Sequence, residues 1–265
     1  MTYSIGFFYT CFNEKEAIDH SIKVLRKHYP DSPVYLFSED LDFKYLEDTY
    51  NNLKTSVEDD TLSPLLSMDG DYNLGIYREE KYQKLINTSA WAILNRLDIA
   101  IKYFNSDYVV MCDPDTLVRG KLNIPENSKV LGSKLNILPP EFKKFQDVLR
   151  SLGSHVHIID SWGATPAVFE TKTFLKGLDI LKSDKQILNR LSMEYPHVYA
   201  HDLLIPIVFS LVGEEEMFNP DIVECFRDPN WRFKPQPLVH QYKEYYQNVE
   251  KNIELGRKIS ARDIV

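Results

Sequence analysis

Short apolar runs and amphipathic segments alternate along the first part of the chain. The run IGFFY at residues 5–9 precedes NEKEAIDHSIKVLRKHYP, in which apolar residues recur at helical spacing between a capping Asn13 and Pro30. A second apolar run, SPVYLFSED, precedes a second helical segment, LDFKYLEDTYNNL. Strand, helix and strand with short links predict a right-handed crossover between parallel strands. We therefore predict an α/β fold, a single Rossmann-like domain with a mostly parallel central sheet flanked by helices.

The rest of the sequence continues this pattern without an internal repeat, a low-complexity tract or a Gly/Ser-rich linker. We predict one domain over residues 1–245 and a C-terminal tail over residues 246–265. An acidic, turn-rich stretch at residues 58–73 predicts a surface loop. The further predicted elements are a helix over 77–104, strands at 108–112, 130–132, 155–160 and 167–169, and helices over 140–152, 171–181 and 201–211.

Composition disfavours several classes of protein. A formal net charge of -8 argues against general nucleic-acid binding, which needs a basic face. The cysteines are too widely separated for a disulfide framework or a zinc pattern, and Cys112 lies within an apolar run typical of a core. No stretch reaches the roughly 18 consecutive apolar residues of a membrane span, and the N-terminus has no signal-peptide pattern. We expect a soluble, cytoplasmic protein with no transmembrane segment, and its many aromatic residues favour recognition of flat rings or sugars.

Two aspartates end the most apolar of the predicted strands. The strand at residues 108–112 stops at Asp113-Pro114-Asp115 and is followed at once by apolar residues. Asp-Pro-Asp is also ordinary turn chemistry. The position of the aspartate pair is more informative than the pattern itself, because open parallel sheets bind ligands at the carboxyl ends of their strands. Two carboxylates held together there repel each other, and a divalent cation that bridges to phosphate oxygens is the usual remedy.

Two other aspartate pairs have the same spacing. Asp69 and Asp71 lie in the predicted surface loop and follow no strand, so nothing positions them as a site. Asp40 and Asp42 follow the second strand but open a helix, where acidic side chains commonly cap backbone N–H groups and favour the helix dipole.

The segment VVMCDPDTLV, after the helical SAWAILNRLDIAIKYF, resembles the Asp-x-Asp segment of GT-A glycosyltransferases. The resemblance is closest to the glycogenin-like and bacterial galactosyltransferase group. The N-terminal FFYTCFNEKEAIDHSIKVLRKHYPDSPVYLFSED also resembles the nucleotide-binding start of that fold, so the likeness covers roughly residues 5–118. It implies a GT-A-like fold and a metal-dependent hexosyl- or pentosyltransferase. The donor would be a nucleotide-sugar, with a UDP-sugar expected, and the acceptor a glycan or another hydroxyl compound.

The resemblance also implies roles for individual residues. Asp113 and Asp115 would bind Mn²⁺ or Mg²⁺, and Asp113 would also contact the ribose. His240, in PLVHQYKEYY, would be a third metal ligand, although a lone histidine beside aromatic residues is as often a packing residue. Lys243 would reach the diphosphate, but it follows His240 by only three positions and the family's glycine is missing. The residues expected around the base and ribose are Thr10, Cys11, Phe12, Glu39 and Asp40.

Four further positions have both a functional and a structural interpretation. Arg96, on the long helix, is a candidate partner for phosphate or an ordinary solvated helix residue. Asp160, in HIIDSWGATPAVFE, is expected to bind sugar hydroxyls or to lie in a plain loop. Asp202 is a candidate base for the acceptor hydroxyl, or a cap of the helix that follows. Trp231, in DPNWRFKP, would shape the loop before His240 or only anchor the tail.

Three alternative functions remain open from the sequence. A haloacid dehalogenase-type phosphatase also places Asp-x-Asp after an apolar strand, but normally on the first strand and followed by Gly-Thr, whereas Thr116 follows Asp115 directly. A nucleotidyltransferase usually has a Gly-rich phosphate loop near its N-terminus, which YTCFNE does not provide. A non-catalytic nucleotide-sugar-binding module would not need both aspartates.

Overall fold

The computed structural model describes residues 3–11, 14–38, 41–57, 80–133, 142–160, 166–195, 198, 201–224 and 230–240. Within these residues, helices and strands alternate as the sequence predicts. The helices are α1 (Lys15–His28), α2 (Lys44–Thr49), α3 (Glu80–Phe104), α4 (Phe142–Ser151), α5 (Thr171–Ser183), α6 (Gln186–Glu194) and α7 (His201–Ser210). The strands are β1 (Ile5–Cys11), β2 (Val34–Ser38), β3 (Leu53–Val57), β4 (Tyr108–Cys112), β5 (Leu117–Val118), β6 (Val130–Gly132), β7 (Ala167–Glu170), β8 (Met217–Phe218), β9 (Ile222–Glu224) and β10 (Leu238–His240).

Seven strands form the central sheet in the order β3-β2-β1-β4-β7-β6-β8. The first four of these neighbours run parallel, whereas β7 is antiparallel to both β4 and β6. The predicted mostly parallel sheet is therefore confirmed, with one reversed strand. Because β1, β2 and β4 are mutually parallel, their carboxyl ends meet at one edge, and the pairing of Tyr9 with Cys112 places Asp113 beside the end of β1.

Alternate residues of the strands enter two separate cores. Phe8 and Met111 point to the face covered by α3 and the helices α4 to α7. Phe7 and Val110 point to the opposite face, which α1 and α2 cover. A three-stranded sheet in the order β5-β10-β9 also packs on this second face, through side chains such as Leu238. Because both faces of the sheet are buried, its strands appear in the sequence as continuous apolar runs.

The structure differs from the sequence prediction in several elements. Residues 155–160 form no strand; the backbone N–H of His157 instead donates to the carbonyl oxygen of Ser210, 2.9 Å away. The second helix is shorter than predicted, because residues 53–57 form the edge strand β3. The helix α6 was not predicted. The boundary between a domain at 1–245 and a tail at 246–265 stays a prediction, since residues after 240 lie outside the described part.

Candidate metal centre

The turn after β4 brings both aspartates of the Asp-x-Asp segment to the carboxyl edge of the sheet. The backbone N–H of Thr116 donates to the carbonyl oxygen of Asp113, 3.0 Å away. The side-chain oxygen of Thr116 lies 3.1 Å from the backbone nitrogen of Asp113, which donates to it. Asp115 and Thr116 are buried, whereas Asp113 is partly exposed. The turn is therefore fixed at both ends and presents Asp113 to the outside.

The third residue of the site, His240, is the last residue of β10. This strand pairs antiparallel with β5, with Leu238 opposite Val118 and Val239 opposite Leu117. Because β5 follows the Asp-x-Asp turn directly, this register brings His240 next to the aspartates. The imidazole Nε2 lies 3.2 Å from Oδ2 of Asp113.

Asp113, Asp115 and His240 form a compact group of side chains of the types that ligate metal ions. One ligand atom from each lies within 4.8 Å of the others. Carboxylate oxygens are the ligands that Mg²⁺ and Mn²⁺ prefer, and a neutral imidazole also binds first-row divalent ions. Two ionised carboxylates that are buried or half-buried at this distance raise the free energy of the folded protein, unless a positive charge lies between them. The donor set therefore fits a divalent cation, which would be held by these three residues.

A buried network beneath the turn was not anticipated from the sequence. The hydroxyl of Ser21, on α1, donates to the carbonyl oxygen of Thr116 and lies 3.1 Å from the hydroxyl of Tyr9. Burial raises the pKa of the neighbouring Cys112 thiol, which therefore stays neutral and serves as core. The one signal in the sequence is that Ser21 lies on the apolar side of an amphipathic helix, where a hydroxyl needs a partner.

Arg119 fixes the segment that leads into β10. Its guanidinium donates to the carbonyl oxygens of Trp231, Lys234 and Gln236. Its backbone N–H donates to the carbonyl oxygen of Pro237, 2.8 Å away. Trp231 is fully buried in a short 3-10 helix. The interpretation that Trp231 shapes this segment agrees with its burial and with its contact to Arg119.

Two of the residues predicted around the nucleotide lie at the carboxyl end of β1. Thr10 pairs with Phe37 and Cys11 with Ser38, so both lie beyond the Tyr9–Cys112 pair, on the same edge as Asp113. Thr10 is partly exposed, whereas Cys11 is buried. Their contact with a nucleotide remains a prediction. Phe12, Glu39, Asp40 and Lys243 lie outside the described residues.

Arg96 is buried, so its interpretation as a solvated helix residue is wrong. Its guanidinium lies 3.6 Å from the ring centroid of Phe37, next to the last residue of β2. Asp160 is exposed and lies beside Pro206 of α7. Asp202 is the second residue of α7, one position inside the helix, where its charge suits the positive end of the helix dipole. Roles for Asp160 and Asp202 in chemistry remain predictions.

Comparison with solved structures identifies this architecture. The galactosyltransferase LgtC, in complex with donor and acceptor sugar analogs, superposes with a TM-score of 0.52 at 13% sequence identity, covering 89% of this chain and 86% of LgtC. The chain has a GT-A glycosyltransferase fold. A glycosyltransferase involved in glycosylation of the major capsid of PBCV-1 covers 90% of this chain and 92% of its own, with a TM-score of 0.42 and 15% identity. No protein-family model and no curated protein sequence matches.

The GT-A fold confirms the resemblance that the Asp-x-Asp segment indicated. The segment lies on β4, in the centre of the sheet, and its two carboxylates are joined by a histidine from the other end of the chain. A haloacid dehalogenase-type phosphatase would instead carry its aspartates on the first strand of a different fold. Among the described helices, none is long and apolar enough to cross a membrane.

Proposed function

We propose that this protein is a metal-dependent glycosyltransferase that transfers a hexose or pentose from a nucleotide-sugar to a glycan or another hydroxyl acceptor. The observation that carries the proposal is the cluster of Asp113, Asp115 and His240 at the carboxyl edge of a GT-A fold. Such an edge is where open α/β sheets bind nucleotides. A carboxylate cluster alone has no affinity for a diphosphate, so the cation that it holds is central to the proposal.

The donor set favours Mn²⁺ over Mg²⁺. Magnesium prefers oxygen ligands in a strict octahedron, whereas manganese accepts an imidazole more readily. When bound, the cation supplies Lewis-acid stabilisation of the departing diphosphate. We propose a UDP-sugar as the donor, with Thr10 and Cys11 at the edge where its nucleoside binds, and with Phe12, Glu39, Asp40 and Lys243 in the roles that the resemblance implies.

The reaction exchanges one glycosidic bond for another. The bond from the anomeric carbon to the diphosphate oxygen breaks, and a bond from that carbon to the acceptor oxygen forms. The acceptor hydroxyl loses its proton in this exchange, and we assign its removal to Asp202, with Asp160 binding sugar hydroxyls. Arg96 is a less direct candidate, because its guanidinium is already stacked on Phe37; we propose that it supports the edge of β2.

Slow hydrolysis of the donor tests the proposed function. In the absence of an acceptor, the protein should release UDP from one UDP-sugar in the presence of Mn²⁺, because stabilisation of the leaving group does not depend on the acceptor. The measurement is UDP formation from UDP-glucose, UDP-galactose, UDP-N-acetylglucosamine and UDP-xylose, with GDP-mannose in parallel. Addition of EDTA should stop the release. Phosphate release from p-nitrophenyl phosphate, with no nucleoside diphosphate from any donor, would contradict the proposal.

Asp202→Asn separates a catalytic role from a structural one. If Asp202 takes the acceptor proton, this substitution should lower turnover at least about a hundredfold, within the range of general base catalysis, while Mn²⁺–UDP affinity stays unchanged. If the carboxylate serves only the helix dipole, the loss is about 0.3–1 kcal/mol of unfolding free energy and turnover is kept. Turnover, UDP titration and thermal unfolding of the same preparation distinguish the two results.

A further inference from the structure

A wide groove lies between the exposed sides of α3 and α6, apart from the metal centre. Its volume is about 1010 Å³, at the upper end of the range for small-molecule sites. Both walls are helical, so the groove runs along two regular elements. The residues that line it and carry its chemistry are Asn87, Trp91, Asn95, Lys185, Gln186 and Asn189.

Trp91 supplies a flat apolar surface in this groove. It is partly buried, in the middle of the wall formed by α3. The ammonium of Lys185, on the opposite wall, lies 5.9 Å from the centroid of the Trp91 ring. An indole with one solvent-exposed face stacks well against the C–H face of a pyranose. Such a ring provides a large contact area with little loss of side-chain conformational entropy. Ala92, Ile99 and Met193 add further apolar surface to the walls, and Ile99 and Met193 are exposed.

Carboxamides surround this aromatic surface. Asn87 and Asn95 come from α3, and Gln186 and Asn189 come from α6. Each carboxamide offers both donors and an acceptor, which is the pattern that matches sugar hydroxyls. The side-chain oxygen of Asn87 is shielded from solvent, and its Nδ2 donates to the carbonyl oxygen of Gln83 over 2.9 Å. The carboxamides that a ligand in the groove can reach are therefore mainly the exposed Asn95 and Gln186 and the half-exposed Asn189.

Hydrogen bonds between the helices hold the groove open in one shape. The hydroxyl of Ser192, on α6, donates to Oε1 of Gln83 over 2.7 Å, and Nε2 of Gln83 donates to the carbonyl oxygen of Ser192 over 3.2 Å. Nδ2 of Asn87 lies 3.4 Å from the same hydroxyl. These groups are buried or half-buried, so the spacing of the two walls is set before any ligand binds. Preorganisation of this kind lowers the entropic cost of binding.

One lining residue of the groove lies near the edge of the sheet that carries the metal centre. Arg96 lines one end of the groove, and the same guanidinium lies over Phe37, next to the carboxyl end of β2. From β2, the sheet continues through β1 to β4, which ends at Asp113. The Arg96 end of the groove therefore lies near the carboxyl end of β2, two strands away from β4 in the sheet.

We propose that this groove binds an oligosaccharide, with a pyranose ring stacked on Trp91 and hydroxyls paired with the carboxamides. The assignment to the non-reacting part of the acceptor rests on the proposed glycosyltransferase function. The binding itself does not, because no residue of the metal centre lines the groove. An acceptor held at a second place gains affinity from multivalency without any change in the chemical step.

A glycan array tests the groove directly. Fluorescently labelled protein is applied to immobilised neutral and acidic oligosaccharides, and the dissociation constant for the strongest glycan is then measured by calorimetry. Trp91→Ala should weaken this binding about tenfold or more, which is the usual effect of truncating a central aromatic anchor. Asn95→Ala should weaken it as well, and it should preserve the fold, because Asn95 is exposed and alanine favours helix. Tyr103→Ala, an exposed aromatic of the same helix outside the groove, is the matched control and should bind as wild type does.

Asp113→Ala separates the two proposals. This variant should keep the glycan affinity of the wild type while it loses metal-dependent release of nucleoside diphosphate. Failure of the wild type to bind any glycan on the array overturns the groove proposal, whatever the result with nucleotide-sugars. It is equally overturned if Trp91→Ala and Asn95→Ala both retain wild-type affinity. Failure to release any nucleoside diphosphate, with glycan binding intact, contradicts the proposed reaction but not the groove.

Discussion

Replacing Asp113 or Asp115 with alanine is expected to abolish Mn²⁺-dependent binding of UDP while the protein remains folded. Each substitution removes one of three ligand groups that lie within 4.8 Å of one another. Loss of a residue that merely supports a ligand typically costs 10- to 100-fold in metal affinity, so loss of a ligand should cost at least about a hundredfold. Calorimetric titration of UDP, with Mn²⁺ and with EDTA, measures the effect.

Thermal unfolding provides the control for this prediction. Mn²⁺ with UDP should raise the melting temperature of the wild type, since a ligand that binds only the native state stabilises it, and should leave that of both variants unchanged. Asp147→Ala, an exposed aspartate paired with Arg150 on α4, should respond as the wild type does. Unchanged affinity for Mn²⁺–UDP in both the Asp113 and the Asp115 variants would remove the metal centre from the proposed function.

Gly177→Ala should strongly destabilise the protein. Gly177 lies on α5 where this helix crosses α7, and an added methyl group would lie 2.1 Å from the carbonyl oxygen of Val208 and 2.8 Å from its Cγ1. The nearest atom belongs to a helix backbone, so relief requires the two helices to separate. Overpacking of this kind typically costs up to about 3 kcal/mol of unfolding free energy, which outweighs the helix-propensity gain of about 1 kcal/mol. Urea denaturation measures the difference.

Lys176→Ala is the matched substitution on the same helix. Lys176 is exposed on α5, one position before Gly177, and its replacement should change the unfolding free energy by no more than about 0.5 kcal/mol. If the alanine variants at 176 and 177 have the same midpoint in urea, the close contact between α5 and α7 is not a constraint on this fold.

The parts of the fold that the sequence predicts are those that local patterns determine. The strands around Phe8 and Val110 are apolar on both faces, and the helix between the first two strands has a regular apolar stripe, so their types follow from periodicity. The position of Asp113 follows as well, because the carboxyl end of a central parallel strand has only one place in such a sheet.

The remaining features depend on long-range pairing that no local pattern specifies. His240 joins the aspartates because β10 pairs with β5 in one particular register, and from the sequence alone a packing role is as plausible. The segment at residues 155–160 alternates like a strand, yet the N–H of His157 bonds to the end of α7 rather than to a neighbouring strand. Arg96 is charged, but stacking on Phe37 makes its burial possible.

In the proposed metal centre, the affinity for a cation would depend on the local stability of β10, the three-residue strand that carries His240. Only while this strand is docked on β5, with Arg119 holding the preceding segment, are all three ligand groups together. The apparent affinity for the cation would therefore be the affinity of the docked form multiplied by the fraction of molecules in which β10 is docked. β10 is paired with β9 as well as with β5, and its three side chains are buried, so opening of this strand requires the loss of both pairings. Any partner or modification that shifts this opening equilibrium would regulate the metal centre without contacting the aspartates.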